Sequence, residues 1–168
     1  MKTLALLAAV TLCALPTFAQ ENKVVSMLAK HWKSSKALTL AVADAMPESG
    51  YNSKPNPEEM TFGEQMAHIA AGQASYVARA TGDKSPIAMA KGADKATAVK
   101  LLNESYDYCI KKLEALTDAD LSKMVGPEGR QVMVAEAIWG GFTHTAHHRG
   151  QAEVYLRVKD LKPPAYTF

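Results

Sequence analysis

Two histidines four positions apart, His144 and His148, are the residues whose type and spacing most directly suggest chemistry in this chain. On an α-helix this spacing places both imidazoles on one face, within about 6 Å of each other. Two imidazoles at that separation can bind one divalent cation. The same spacing also occurs in pairs of rings that are hydrogen-bonded or face solvent. The pair alone therefore leaves a metal site and a structural role open.

A metal site needs a third ligand, and the other histidines differ in their surroundings. His31 lies near the start of the first predicted helix, beside a tryptophan and a lysine, where a solvated ring is the usual outcome. His68 is better placed, although a hydrogen-bonded core histidine is the alternative for it. His147 is turned by about 100° from His148 around the helix, so we expect it to flank the site. The stripe around His68 is small or polar and leaves room for a cavity: Glu64, His68, Ala71 and Ser75.

Four segments repeat apolar residues every three or four positions, and no stretch alternates convincingly over more than four residues. Thr61 and Glu64 have the spacing of a capping box at the start of the second segment. Stretches rich in proline and glycine separate the segments, and Pro163-Pro164 prevents the last from continuing. The pattern predicts an all-α, up-and-down four-helix bundle. Its helices are predicted over about Glu21–Met46, Thr61–Ala80, Asp94–Leu116 and Val132–Lys159.

The predicted inward stripe of the fourth helix is apolar at its ends and polar in its middle. Burying two imidazoles and an amide is costly unless each finds a partner, and a shared metal ion is the simplest partner. Arg149 and Arg157 are expected to project away from this stripe, into surface or inter-helix ion pairs. The stripe comprises Ala137, Gly141, His144, His148, Gln151, Tyr155 and Val158.

A longer motif surrounds the histidine pair. The run from His144 to Gln151 reads HTAHHRGQ, and Tyr155-Leu156-Arg157 and a Pro-Pro pair follow it. This run resembles the C-terminal signature of the DinB/YfiT-like superfamily, and TFGEQMAHIA at 61–70 resembles the start of that family's second helix. The resemblance implies a four-helix bundle with one divalent metal held by three histidines. These map onto His68, His144 and His148.

Three imidazoles on zinc or nickel leave a coordination position for water or substrate. We therefore expect a metal-dependent transferase of the thiol-transfer type, or a hydrolase, acting on a small molecule. Candidate groups around the metal are Glu64 as base or hydrogen-bond acceptor, Gln151 as donor and Tyr155 as wall or acid, although capping competes for Glu64. The alternative is a non-catalytic binding or interaction protein that the metal stabilises.

The N-terminal residues predict a secretory signal peptide over 1–19, followed by the bundle domain over 20–168. Lys2 is the only charge there, an apolar run continues to Leu15, and cleavage is expected after Ala19 or Gln20. The run is shorter than the roughly 18 to 20 residues that span a bilayer, and an uncleaved anchor is the alternative. The sequence thus predicts an exported protein, periplasmic or secreted, with no membrane contact after cleavage. Superfamily members with assigned chemistry act on cytosolic thiols, so an exported member would use a different substrate.

Composition narrows the classes of partner. The 168 residues carry 19 basic and 17 acidic side chains, a formal net charge of +2, which gives no electrostatic footprint for nucleic acid. Cys13 falls in the predicted signal peptide, and Cys109 lies on an apolar stripe of the third helix. We therefore expect Cys109 to be buried and unpaired. A small-molecule substrate is the expected partner, and a homodimer stays open.

Overall fold

The computed structural model describes residues 22–166, and within them the chain forms a bundle of four α-helices. The predicted fold class is confirmed, and each helix end lies within two residues of its predicted position. The signal peptide predicted over 1–19 lies outside the described residues. The helices are α1 (Lys23–Ala45), α2 (Phe62–Thr81), α3 (Lys95–Glu114) and α4 (Val134–Val158).

The connections between the helices carry three small elements. A 3-10 turn over Glu48–Gly50 follows α1, and another over Asp118–Ser122 follows α3. The segment between α3 and α4 also contains two short strands, β1 (Met124–Val125) and β2 (Val132–Met133), which pair antiparallel. This hairpin was not predicted, because two residues a strand are too few to show an alternating pattern.

Side-chain caps fix where the second and third helices begin. Thr61 accepts a hydrogen bond from the backbone N–H of Glu64, and the Glu64 carboxylate accepts one from the backbone N–H of Thr61. This is the predicted capping box. Asp94 caps α3 by accepting from the N–H of Thr97. Gly82 ends α2 in the left-handed region, with φ at +72°, where a side chain would be strained.

The bundle is held by an apolar core to which all four helices contribute. α2 packs against both α3 and α4, and α1 packs mainly against α3. Trp32, Phe62, Tyr106 and Leu113 are fully buried in this core, and so is Cys109 as predicted. Cys109 has no disulfide partner among residues 22–166. None of the helices in that range is long and apolar enough to cross a membrane.

The buried stripe of α4 matches the predicted one at Ala137, Gly141 and Tyr155 and differs from it elsewhere. Thr145, Arg149 and Ala152 are buried, whereas His144 and His148 are half-buried at the margin of the helix interface. The inclusion of Val158 was wrong, because 62% of it is exposed. The predicted line was centred on the histidines. The helices instead meet along the neighbouring line of residues and leave the imidazoles at an edge that solvent can reach.

The prediction that Arg149 projects into a surface or inter-helix ion pair was wrong. Its side chain is buried, and Nη1 donates to the hydroxyl oxygens of Ser35 at 2.9 Å and Thr39 at 3.4 Å on α1. Both hydroxyls also bond the Tyr106 hydroxyl, at 2.9 and 2.7 Å. No described carboxylate pairs with Arg149, since α1 offers hydroxyl groups at this level. Arg157 lies at the surface as predicted and pairs with Glu153.

Candidate metal centre

Three histidine rings converge between α2 and α4. The Nε2 atom of His68 lies 3.1 Å from Nε2 of His148 and 3.1 Å from Nε2 of His144. One ligand atom from each ring lies within 4.8 Å of the others, and no other group of three His, Cys, Asp or Glu in the described part of the chain meets this spacing. Two nitrogens bound tetrahedrally to one zinc ion are about 3.3 Å apart. The nitrogen separations therefore fit a shared divalent metal.

The helices supply the three rings from two directions. His144 and His148 lie one turn apart on α4, and His68 faces them from α2. Gly72, one turn after His68, makes room for the His144 ring, because a β-carbon there would lie 2.2 Å from Cε1 of that ring. The sequence predicts small side chains near the site at Ala71 and Ser75. Ser75 is exposed, and Gly72 is the position that admits the imidazole.

Partial burial keeps the three imidazoles neutral. It lowers the pKa of His148 to about 4, mainly through desolvation and further through the neighbouring charges that His144 and His68 would carry if protonated. Desolvation also lowers the pKa of His68 and, together with repulsion from His68, that of His144. A neutral imidazole has a lone pair available for a metal ion. The rings are therefore uncharged near neutral pH, which is the charge state that metal ligation requires.

Gln65 is a part of the site that was not predicted from the sequence. Its side chain is buried, and Nε2 lies 3.0 Å from Nδ1 of His148. The same nitrogen donates to the backbone carbonyl of His148 at 3.2 Å and to Oε1 of Gln151 at 2.6 Å. Gln65 precedes His68 by three residues, a spacing that places side chains side by side on a helix. That spacing is the signal that could have identified it.

The three residues predicted around the metal have different positions. Gln151 reaches the centre through Gln65, as described above. The Glu64 carboxylate takes part in the capping box and accepts a further hydrogen bond from the backbone N–H of Gly92. The hydrogen bond from the backbone N–H of Thr61 is the main cause that lowers the pKa of this carboxyl group. Tyr155 donates its hydroxyl to the carbonyl of Met60 at 2.7 Å. Burial raises the pKa of Tyr155 to about 12.

Two further histidines lie outside the triad. His147 is exposed, and its ring centroid is 4.9 Å from that of His148, so it flanks the centre as predicted. His31 lines an apolar cleft between α1 and α4 whose lining includes no residue of the triad. The other residues of that cleft are Met27, Leu28, Trp139 and Phe142.

Comparison with known proteins shows the family of the chain. A family model described as the DinB superfamily matches residues 31–152. The chain belongs to the DinB superfamily. The resemblance stated from the sequence motifs is thus confirmed, and DinB proteins are metal-binding in general. The three histidines could form such a site in this DinB protein.

Solved structures of DinB proteins share the fold. A DinB-like protein from Bacillus cereus is 20% identical, with a TM-score of 0.70 over 84% of this chain and 97% of that chain. A DinB-like protein from Bacillus subtilis is 21% identical, with a TM-score of 0.70 over 83% and 96%. A DinB family member from Shewanella denitrificans is 19% identical, with a TM-score of 0.53 over 86% and 91%. No curated protein sequence matches the chain.

Proposed function

We propose that this DinB protein binds one divalent metal ion per chain, zinc or nickel, through His68, His144 and His148. The observation that carries the proposal is the convergence of three neutral imidazole nitrogens at a spacing that one ion can bridge. Imidazole suits both of these ions. Without an ion, the only bonds among the three facing nitrogens are hydrogen bonds from ring to ring.

We further propose that the bound ion is used for catalysis on a small molecule, as a thiol transferase or a hydrolase. When bound, the ion would supply Lewis acidity to a water or to a substrate thiol. No fourth histidine, cysteine or carboxylate of the described residues joins the triad, which leaves a coordination position for a ligand. The half-buried rings also leave the site accessible from solvent.

The roles of the surrounding side chains follow from their bonds. Gln151 accepts from Gln65 through Oε1 in this arrangement, and we assign one of the two hydrogens of its amide nitrogen as a donor to the substrate. Glu64 would have to leave its helix cap to act as a base, and Tyr155 would have to leave the carbonyl of Met60 to act as an acid. We therefore assign proton transfer to neither residue in the resting arrangement.

A second candidate function is an interaction protein that the metal stabilises without turnover. The apolar cleft beside His31 supports this alternative, because two of its residues are exposed at its rim. Trp139 is 62% exposed and Met27 is 49% exposed. Exposed apolar residues in one place are a common feature of binding surfaces.

Metal analysis of the purified protein tests the site. We expect one divalent ion per chain in the wild type and in His147→Ala, a control that removes the adjacent exposed ring. We expect the ion to be lost in His68→Ala and His144→Ala. Unchanged stoichiometry in both of these variants would refute the site. Loss of metal in His147→Ala would show that the wrong ring was chosen.

Turnover distinguishes the two candidate functions. The metal-loaded protein is assayed with small thiols paired with electrophiles, and with hydrolysable esters and amides. We expect metal-dependent turnover of one of these classes, lost in His148→Ala while the fold is retained. If no member of a broad panel reacts and the variant unfolds on losing its metal, the interaction protein is the better interpretation.

We also propose that the protein is exported, after removal of the predicted signal peptide. The intact mass of protein recovered from the extracytoplasmic fraction should correspond to a chain beginning at Gln20 or Glu21. A full-length cytosolic species would contradict export. It would also make cytosolic thiols the first substrates to examine.

A further inference from the structure

The hydrogen bonds of the Gln65 amide are unevenly distributed. Its Nε2 atom has two hydrogens but lies within hydrogen-bond distance of three acceptors: Nδ1 and the carbonyl oxygen of His148, and Oε1 of Gln151. Its Oε1 atom is buried and has no hydrogen-bond partner among the described residues. A buried acceptor without a partner is unfavourable. This orientation of the amide is therefore unfavourable at Oε1, and it is compatible with only one tautomer of His148.

The contact between Gln65 and Nδ1 of His148 indicates which tautomer this is. An N–H donated by Gln65 requires a lone pair on Nδ1, which puts the hydrogen of a neutral imidazole on Nε2. That hydrogen points toward Nε2 of His68, 3.1 Å away. A nitrogen that carries a hydrogen has no lone pair for a metal ion. The amide as oriented thus matches hydrogen bonding between the rings and not metal ligation.

We propose that Gln65 is a positioning residue that selects the metal-binding tautomer of His148, a role that rests on the proposed metal site. In the metal-loaded protein the amide is turned over, so that its Oε1 accepts a hydrogen bond from Nδ1–H of His148. The imidazole proton then resides on Nδ1, and the Nε2 lone pair faces His68 and His144. No proton is gained or lost, because the same proton moves from one ring nitrogen to the other.

Three observations support this exchange. Turning the amide over interchanges atoms of similar size, so neither helix has to move. Gln151 can turn over with it and donate its N–H to the same Gln65 oxygen, which keeps their 2.6 Å contact as a hydrogen bond. The exchange gives the unpartnered Oε1 two donors, at the cost of the 3.2 Å hydrogen bond from Nε2 to the backbone carbonyl of His148. A ligating histidine commonly donates its second N–H to a fixed acceptor, which orients the ring.

Zinc affinity tests the role, with Gln73 as the matched control. Gln73 is the other fully buried glutamine of α2, and neither polar atom of its amide has a partner in the described structure. We expect Gln65→Leu to weaken zinc binding by about 10- to 100-fold, the usual effect of removing a hydrogen-bond partner of a ligating histidine. Gln65→Glu keeps an acceptor and should bind zinc close to the wild-type affinity. Gln73→Leu should leave the affinity unchanged.

The affinities are measured by competition with a chromogenic chelator, after thermal melting has shown that each zinc-free variant folds. Long-range ¹⁵N–¹H NMR of the zinc-loaded wild type provides a readout that does not depend on any variant. We expect the hydrogen of His148 on Nδ1. A hydrogen absent from Nδ1, or equal affinities for Gln65→Leu and wild type, would overturn the role of Gln65. A wild-type chain that binds no zinc or nickel would instead overturn the proposed metal site.

Discussion

Gly72 and His144 are in a relationship that only glycine permits, since a β-carbon at position 72 would lie 2.2 Å from Cε1 of the His144 ring. Nδ1 and Nε2 of the same ring would lie 2.8 and 3.0 Å from that carbon. Real β-carbons do not approach other atoms so closely, so the imidazole would have to move. Because His144 supplies one of the three converging nitrogens, the space left by the missing side chain of Gly72 controls the geometry of the site.

Gly72→Ala should therefore weaken metal binding without unfolding the protein. Displacing the His144 ring moves Nε2 away from the 3.1 Å approach to His68. Alanine is favoured over glycine within a helix by about 1 kcal/mol, so the backbone of α2 should tolerate the change. Metal content and zinc affinity are the measurements, with far-UV circular dichroism as the check on folding.

Gly150→Ala is the matched control for this prediction. Gly150 lies on α4 two residues after His148, and a β-carbon there would meet nothing within 4 Å. We expect wild-type metal affinity and equal or greater thermal stability in this variant. If both glycine variants bind metal as the wild type does, the close approach to His144 does not govern the site.

Arg149→Ala should destabilise the fold because the guanidinium group links α4 to α1. It donates to the hydroxyls of Ser35 and Thr39 in a buried location, and hydrogen bonds from charged groups contribute about 1.5 to 3 kcal/mol. We expect a loss of about 2 kcal/mol in the free energy of unfolding, measured by urea denaturation of the metal-free protein.

Arg157→Ala provides the comparison on the same helix. Its ion pair with Glu153 is at the surface, where such pairs contribute between about 0 and 1 kcal/mol. We expect little change in the free energy of unfolding. Equal effects of the two arginine substitutions would show that the hydroxyl contacts of Arg149 do not stabilise the bundle.

Cys109 should resist thiol reagents in the native protein. Burial is the main cause that raises the pKa of its thiol to about 12, so the reactive thiolate is scarce at pH 8 to 9. We expect one thiol per processed chain to react with a chromogenic disulfide, and only after denaturation. Rapid reaction of the native protein would indicate a redox role. A second thiol after denaturation would show that Cys13 is retained.

The sequence predicts the helices well because their ends depend on local chemistry. Thr61 with Glu64 begins α2 by hydrogen bonds between near neighbours, and Gly82 ends it through its own backbone conformation. Residues only a few positions apart decide both features. Local patterns also place His144 and His148 on one side of α4, because their separation is about one helical turn.

The sequence predicts the packing of α4 less well because packing depends on distant residues. Periodicity cannot separate the line through His144 and His148 from the neighbouring line through Thr145 and Arg149. The hydroxyl groups of α1 that receive Arg149 are more than 100 positions away, so no local pattern reveals them. Gly72 is hidden for the same reason, since its role depends on how α2 faces α4. The spacing of Gln65 from His68 places it beside the site, but its contact with His148 also depends on that packing.

Removing the metal should leave the bundle folded, because the triad lies at the margin of the core. Trp32, Phe62, Tyr106 and Leu113 are fully buried, whereas the three histidines are half-buried. We expect a strong chelator to leave the far-UV circular dichroism spectrum unchanged. Added zinc should raise the melting temperature, because an ion that binds only the folded state increases the free energy of unfolding. The increase is about 2.7 kcal/mol at a free zinc concentration of 100 times Kd. His148→Ala should melt with the metal-free wild type and should not respond to zinc. Unfolding by the chelator would contradict this, since it would mean that the ion, and not the apolar core, holds α2 against α4.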